Sequence, residues 1–459
     1  MTEESKILLV EKEQSKPQVK RLGARIVAIV FMLGTVGQIA WAIENTWFNT
    51  FIYDVITPDP RPIAWMVAVS AVTATITTLF MGTLSDRTKS KLGRRKPYIL
   101  FGYILWGVIT AVFPTVAYIQ KIGIAIVMII ILDAVMTFFG STSNDAAFNA
   151  WMTDVSDSSN RNRIQGYNAV TTLIANLIAL GAAGIIIDVF GYFIFFYIMG
   201  GIVTIVGMIA GILIREPVEP IREKIEEEKK KSIFREFIDI VKPENLKENK
   251  ILYLLFINLA LIGIGSQISF PYLFIYIEHF LAYSKGDISI IGGIVIILSG
   301  IASLLIGLFS HKVNRKTFII ISVILTSIFL FVFAFVQHIA LVILFYFLQL
   351  SASMGVAIVQ GGWMLDKYPV GKVGKYQGVR MIFFVAIPMV IGPPIGSAII
   401  RHYGYPTIID GQPGFVPTPE IFLYSAIVTL LALIPLFYIK KEEGIIKFEP
   451  KNKLGENQE

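Results

Sequence analysis

GTLSDRTKSKLGRRKP, Gly82 to Pro97, places six Lys and Arg within sixteen residues, between two long apolar runs. Each run is long enough to cross a bilayer, and Lys and Arg flanking such runs are held on the inner side of a membrane. The stretch therefore reads as a short cytoplasmic loop, and it orients everything on either side of it.

Composition agrees. Of 459 residues 55% are hydrophobic and 16% charged, with a mean hydropathy of +0.68, whereas a soluble domain carries about 25% charged residues. This is the make-up of a membrane protein. The chain has no Cys, which excludes disulfides, thiolate catalysis and Cys-based zinc sites. His279, His311, His338 and His402 are scattered, and no metal site is expected from them. The net charge of +7 lies in loops between apolar spans, an inner-leaflet pattern rather than a nucleic-acid surface. Residues 1 to 24 mix charges and lack an apolar core followed by a cleavage site, so they read as a cytoplasmic tail without a signal peptide.

A bilayer needs about 20 apolar residues per span. Twelve candidates satisfy this: 26–50, 63–84, 98–118, 122–149, 167–187, 192–214, 251–277, 289–309, 318–336, 339–362, 379–400 and 421–439. An even count puts both termini on one side. With the opening loop inside, only Arg61, Lys121, Lys285 and Arg401 of the 40 Lys and Arg fall in outside loops, and Arg380 falls within a span. An incorrect helix count would scramble that asymmetry. The expected organisation is a tail (1–25), a six-helix half (26–214), a central cytoplasmic loop (215–250), a second six-helix half (251–439) and a tail (440–459). Apolar residues Ile225, Ile233, Phe234, Phe237, Ile238 and Val241 give the central loop the spacing of an amphipathic helix lying on the inner face.

The two halves repeat each other. Trp151-Met152-x-Asp154 is followed by Gln165-Gly166, and Trp363-Met364-x-Asp366 by Gln377-Gly378, at the same spacing. Gly82-x-x-Ser85-Asp86-Arg87 has a degenerate counterpart in Gly307-x-x-Ser310-His311-Lys312. Ser85-Asp86-Arg87 with Gly93-Arg94-Arg95-Lys96 resembles the loop signature of the major facilitator superfamily of secondary transporters. The longer pattern from Ser85 to Tyr98, SDRT-x-S-x-x-GRRKPY, is similar to the branch of glycoside and disaccharide:cation symporters that includes the sucrose/proton and melibiose symporters. The resemblance implies an all-α integral membrane fold, twelve helices in two six-helix pseudo-repeats, with substrate held between the halves near the midplane.

A transporter's chemistry is binding, protonation and gating, so polar groups inside apolar spans are the informative ones. In helix 1, Gln38, Trp41, Asn45 and Phe48 recur on one stripe, flanked by Glu44 and Trp47. Aromatic faces stack on pyranose C–H groups while amides and carboxylates bond hydroxyls, so the stripe suits a sugar. Against this, Trp47 and Phe48 could serve packing or the interfacial belt, and Gln38 and Asn45 could bond neighbouring helices. In helix 4, Asp133 is followed on one face by Thr137, Ser141 and Asn144, with Asp145 adjacent. A carboxylate withdrawn from water favours its protonated form, which makes Asp133 the first proton-site candidate, with Glu44 and Asp145 behind it. The melibiose branch also uses an acid in helix 4, which is what the resemblance implies for Asp133. Sodium-using members of that branch carry acids in helix 2, whereas this helix 2 offers only Ser70, Thr73, Thr75, Thr77 and Thr78, favouring protons. Asn176, Gln267, Gln349 and Arg380 complete the substrate-binding candidates; Arg380 is either a snorkelling side chain or a counter-charge in the cavity.

For the gate, the resemblance implies that Asp86 sits at a helix N-terminus of the opposite half and interacts with arginines, Arg87 and Arg161 or Arg163 among them. Gly82, Gly93, Arg94 and Arg95 belong to the same signature. His311 stands where the second half would carry an Asp. Gly392-Pro393-Pro394 and Pro271 are candidate bending points or tolerated kinks. The expected function is proton-coupled import of a disaccharide or other glycoside by alternating access, in the cell membrane. The partners are a small-molecule substrate, protons and the lipid bilayer, and the chain acts as a monomer. No nucleic acid, cofactor or metal is expected. The competing readings are an exporter of amphipathic compounds or organic acids, and a non-transporting receptor of the same fold. No P-loop, nucleophile elbow or HExxH is present, so no catalytic residue is assigned.

Overall fold

The computed structural model describes residues 22–157, 160–216, 248–369 and 373–440. Its helices are α1 (Ala24–Ile56), α2 (Arg61–Arg87), α3 (Lys96–Tyr118), α4 (Ile122–Asp154), α5 (Arg161–Gly181) and α6 (Ala183–Leu213). They continue with α7 (Lys250–Phe280), α8 (Lys285–Lys312), α9 (Arg315–Phe333), α10 (Ile339–Lys367), α11 (Tyr376–Tyr403) and α12 (Glu420–Phe437). Eleven of these are long and apolar enough to cross a membrane. The exception, α5, carries Arg161, Arg163, Gln165, Asn168 and Asn176. α6 breaks at Gly191, whose φ of 79° suits glycine, so the helical stretch divides where the sequence separates spans five and six. The amphipathic segment expected within 215–250 lies outside the described residues, apart from its ends.

Trp65, Val72, Ile76, Phe80 and Leu84 of α2 are all exposed. Recurring near the helical period, they form an apolar stripe of the kind a bilayer covers. The buried faces are knit by small residues. Gly107 on α3 and Gly200 on α6 approach so closely that a Cβ on either would overlap the other helix's backbone.

The described residues form two compact units. The first gathers those of 22–216 with Pro271–Gly293 and Gly404–Pro417; the second gathers 248–270, Ile294–Tyr403 and 418–440. Phe48, Phe51, Phe113 and Phe196 form an aromatic core in the first unit, with ring centroids 4.2 to 5.8 Å apart. The second unit is centred on Leu255, Phe256, Val323, Val356, Trp363 and Met364.

Among the described residues, one regular element is not helical. Strands β1 (Tyr405–Ile409) and β2 (Gln412–Val416) pair antiparallel, Ile409 opposite Gln412. The connecting Asp410 and Gly411 have φ of 48° and 76°, the two-residue turn that an Asp-Gly pair favours. This hairpin belongs to the first unit, where the Phe415 N–H donates to the Pro58 carbonyl at 3.1 Å and the Tyr53 hydroxyl to the Phe415 carbonyl at 3.0 Å.

Candidate substrate and proton site

Three helices of the first unit meet at Glu44. Ser70 on α2 donates to Glu44 Oε1 at 2.9 Å and Thr137 on α4 does so at 3.0 Å, the two hydroxyls being 2.6 Å apart. Glu44 Oε2 is buried without a partner. Asp133, one turn before Thr137, is 1% exposed, and neither of its carboxylate oxygens has a hydrogen-bond partner. Glu44 and Ser70 are its polar neighbours. Among the described residues, no Lys, Arg or His forms an ion pair with either acid. Ser70 looked informative from the sequence only as evidence that helix 2 lacks acids; its role as a ligand of Glu44 depends on how α1 and α2 are rotated.

Beyond Gly140, α4 widens into a π-helical stretch, Ser141–Phe148. Such turns insert an extra residue per turn and recur at functional sites. Here the Ser143 hydroxyl donates to the Phe139 carbonyl at 2.7 Å, local bonding that competes with the regular ladder. The result separates Asn144 from Asp145. Asn144 is 4% exposed, accepts from the Tyr103 hydroxyl at 2.9 Å and lies where any side chain on Gly37 would overlap it. It is a packing amide between α1, α3 and α4. Asp145 is half-buried and accepts from Asn144 Nδ2 at 3.0 Å.

The α1 stripe divides in the same way. Gln38, Trp41 and Asn45 are half-buried, and Trp41 lies 5.0 Å from the Trp106 ring. Asn45 Nδ2 donates to the Trp41 carbonyl at 2.7 Å within its own helix. Phe48 differs. It is 1% exposed, with its ring 4.2 Å from Phe113, so it fills the aromatic core rather than a polar face. Trp47 is also buried, donating to the Ala179 carbonyl at 2.9 Å. Asn176 is half-buried on α5.

Gln267, Gln349 and Arg380 lie in the second unit. Gln267 packs where a Cβ on Gly392 would collide with it, Gln349 donates to the Ser353 hydroxyl at 3.2 Å, and the Arg380 guanidinium sits 5.2 Å from the Phe384 ring centre.

The basic loop is held by more than the sequence shows. Asp86 pairs with Arg95, not with Arg87, which is exposed. Arg95 is itself buried, donating to the Ser85 hydroxyl at 2.7 Å and reaching Asp154 at 3.3 Å; Arg94 bonds Asp154 at 2.8 Å. Arg161 and Arg163 are exposed. Glu216, which sequence reasoning passed over, accepts from the backbone N–H groups of Arg94, Arg95 and Lys96 at 2.6 to 2.7 Å. A carboxylate on those N–H groups satisfies donors that a helix start leaves free and complements its dipole. Gly93, with φ of 112°, bends the chain into that position, and Gly82 has open space around it. In the second unit Arg315 bonds Asp366 at 2.6 Å, so both copies of the Trp-Met-x-Asp motif end in an Arg-held carboxylate. His311 is exposed.

The sequence profile of the Major Facilitator Superfamily matches residues 26–284 and again 255–457. The multi-drug resistance efflux pump PmrA homolog of Lactococcus lactis is 26% identical over 261 residues. That alignment covers 55% of this chain and 60% of that protein. Among solved structures, the nucleoside transporter NupG superposes with a TM-score of 0.68 at 14% identity, covering 90% of this chain and 98% of that one. A D-xylose-proton symporter gives 0.65 at 12%, covering 92% and 98%. A bacterial homolog of the human lysosomal transporter Spinster, in an inward-facing and occupied conformation, gives 0.66 at 10%, covering 90% and 95%. At these identities the structures are similar in fold.

Proposed function

Because the chain belongs to the Major Facilitator Superfamily, we propose that it is a secondary active transporter that imports a sugar, a disaccharide or other glycoside, together with protons by alternating access. The observation that carries this reading is the Glu44–Asp133 pair. Two carboxylates enclosed together, with no cation paired to either among the described residues, repel each other when both are charged, and a proton that binds and leaves relieves that repulsion. Ser70 and Thr137 hold Glu44 in place for the exchange. The substrate face of the first unit is then the half-buried set Gln38, Trp41, Asn45 and Asp145, an aromatic plate beside hydrogen-bonding groups. The basic loops face the cytoplasm, both termini lie on that side of the cell membrane, and the chain works as a monomer.

Reconstituted in liposomes with an inward proton gradient, the wild type accumulates one of sucrose, maltose, trehalose or melibiose. Asp133→Asn loses accumulation but keeps exchange of that sugar. If no sugar accumulates or exchanges under a proton or a sodium gradient, the sugar assignment fails. The similarity to an efflux pump favours a second reading, export of an amphipathic compound. Gradient-driven extrusion of a lipophilic cation by the same liposomes, without sugar uptake, would establish that reading instead.

A further inference from the structure

At the end of the first unit opposite the basic loop, two more π-helical turns face each other. Ile52–Ile56 ends α1 and carries Asp54; Tyr276–Phe280 ends α7 and carries Glu278 and His279. The wider turns bring all three side chains to one place, and a carboxylate oxygen of Asp54, one of Glu278 and a ring nitrogen of His279 lie within 4.8 Å of one another. His279 Nε2 is 2.8 Å from Asp54 Oδ1, and the Tyr192 hydroxyl donates to Asp54 Oδ2 at 2.6 Å. The Lys285 ammonium already bridges the acids, 2.9 Å from Asp54 Oδ2 and paired with Glu278 Oε1. Glu278 Oε2 is buried with no partner.

We propose that Asp54, Glu278 and His279 form a binding site for a divalent transition-metal ion of the Zn²⁺ type, which the ion enters by displacing the Lys285 ammonium. Two carboxylates and one imidazole are a donor set such ions accept, with water completing the shell. The Lys285 ammonium shows that a cation fits between the two carboxylates. Tyr192 orients Asp54 as an outer-shell partner, and the bridging Lys285 Nζ lies 5.4 Å from the Tyr192 ring centre. A metal here ties the end of α1 to the end of α7. The site uses none of the residues assigned to sugar or proton, so it stands apart from the proposed transport reaction.

The test is equilibrium binding of Zn²⁺ to the purified, tag-free full-length chain. With no Cys and four His in the sequence, background sites are few. One Zn²⁺ per chain is expected. His279→Gln removes a direct ligand, so it should weaken binding by at least the ~10–100-fold that loss of an outer-shell partner costs. Lys285→Met removes the competing cation and should tighten binding relative to wild type, which a merely adventitious ion would not show. Elution of each variant at the wild-type volume in size exclusion establishes that it is folded. Binding unchanged by His279→Gln would overturn the proposal, as would its absence from both wild type and Lys285→Met. Binding confined to Lys285→Met would overturn it for the native chain, because the ammonium would then hold the site against the metal.

Discussion

A buried Arg that serves three acceptors cannot be replaced by a Lys, and Arg95 is such a residue. It reaches the Ser85 hydroxyl, Asp154 and Asp86 from a site that is 4% exposed. Lysine offers a point charge without the planar fork. Arg95→Lys should therefore lower stability by about 1.5–3 kcal/mol, the scale of one hydrogen bond to a charged group, seen as a lower melting temperature in detergent. The exposed Arg87→Lys should leave melting unchanged. Within the site, Thr137→Val keeps side-chain volume while deleting one of the two donors on Glu44 Oε1. It should cost about 1–3 kcal/mol and slow gradient-driven uptake without abolishing exchange. Glu44 and Asp133 were conspicuous in the sequence because charge inside an apolar run is costly. Phe48 shared a stripe with Gln38, Trp41 and Asn45 but went into the aromatic core, since a helical face does not reveal where a polar surface gives way to packing.

At the scale of elements, the ends of helices carry the specificity. Glu216 stands on three successive N–H groups at the start of α3. Glu216→Ala should destabilise the basic loop by about 1–2 kcal/mol, measurable as faster proteolysis between Lys89 and Lys96. Close helix crossings are a second control point. A Cβ on Gly184 would overlap the Lys285 carbonyl and the Trp47 ring, and backbone cannot move aside as a flexible side chain can. Gly184→Ala should cost about 1–3 kcal/mol as overpacking, read in the same melting assay. The hairpin follows this logic at Gly414, where a Cβ would meet the Pro58 backbone. Asp410-Gly411 marks the turn in the residue order, whereas the seating of the hairpin on Pro58 depends on tertiary contact.

For the whole molecule, the alternation of Lys and Arg across successive loops predicts the threading. Because the chain has no Cys, Ser90→Cys and Lys121→Cys can be labelled without background. A membrane-impermeant maleimide applied to intact cells should modify the second and reach the first only after permeabilisation; the reverse pattern would invert the topology. Helix number, the paired six-helix repeat and the family were all legible from residue order. The free energy of placing a segment in a bilayer depends on its own composition and length, and backbone groups in lipid must be satisfied within the segment. A run of apolar residues says nothing, however, about how its helix is rotated or which neighbour it meets. Only the tertiary structure joined Glu44 to Ser70 and Thr137, 26 and 93 residues away. It likewise gave Asp86 to Arg95 and brought Asp54 to His279 across 225 residues. Those pairings were decided by side-chain packing between helices and by π-helical turns that shift a helix's phase, interactions that exist only once the spans are assembled.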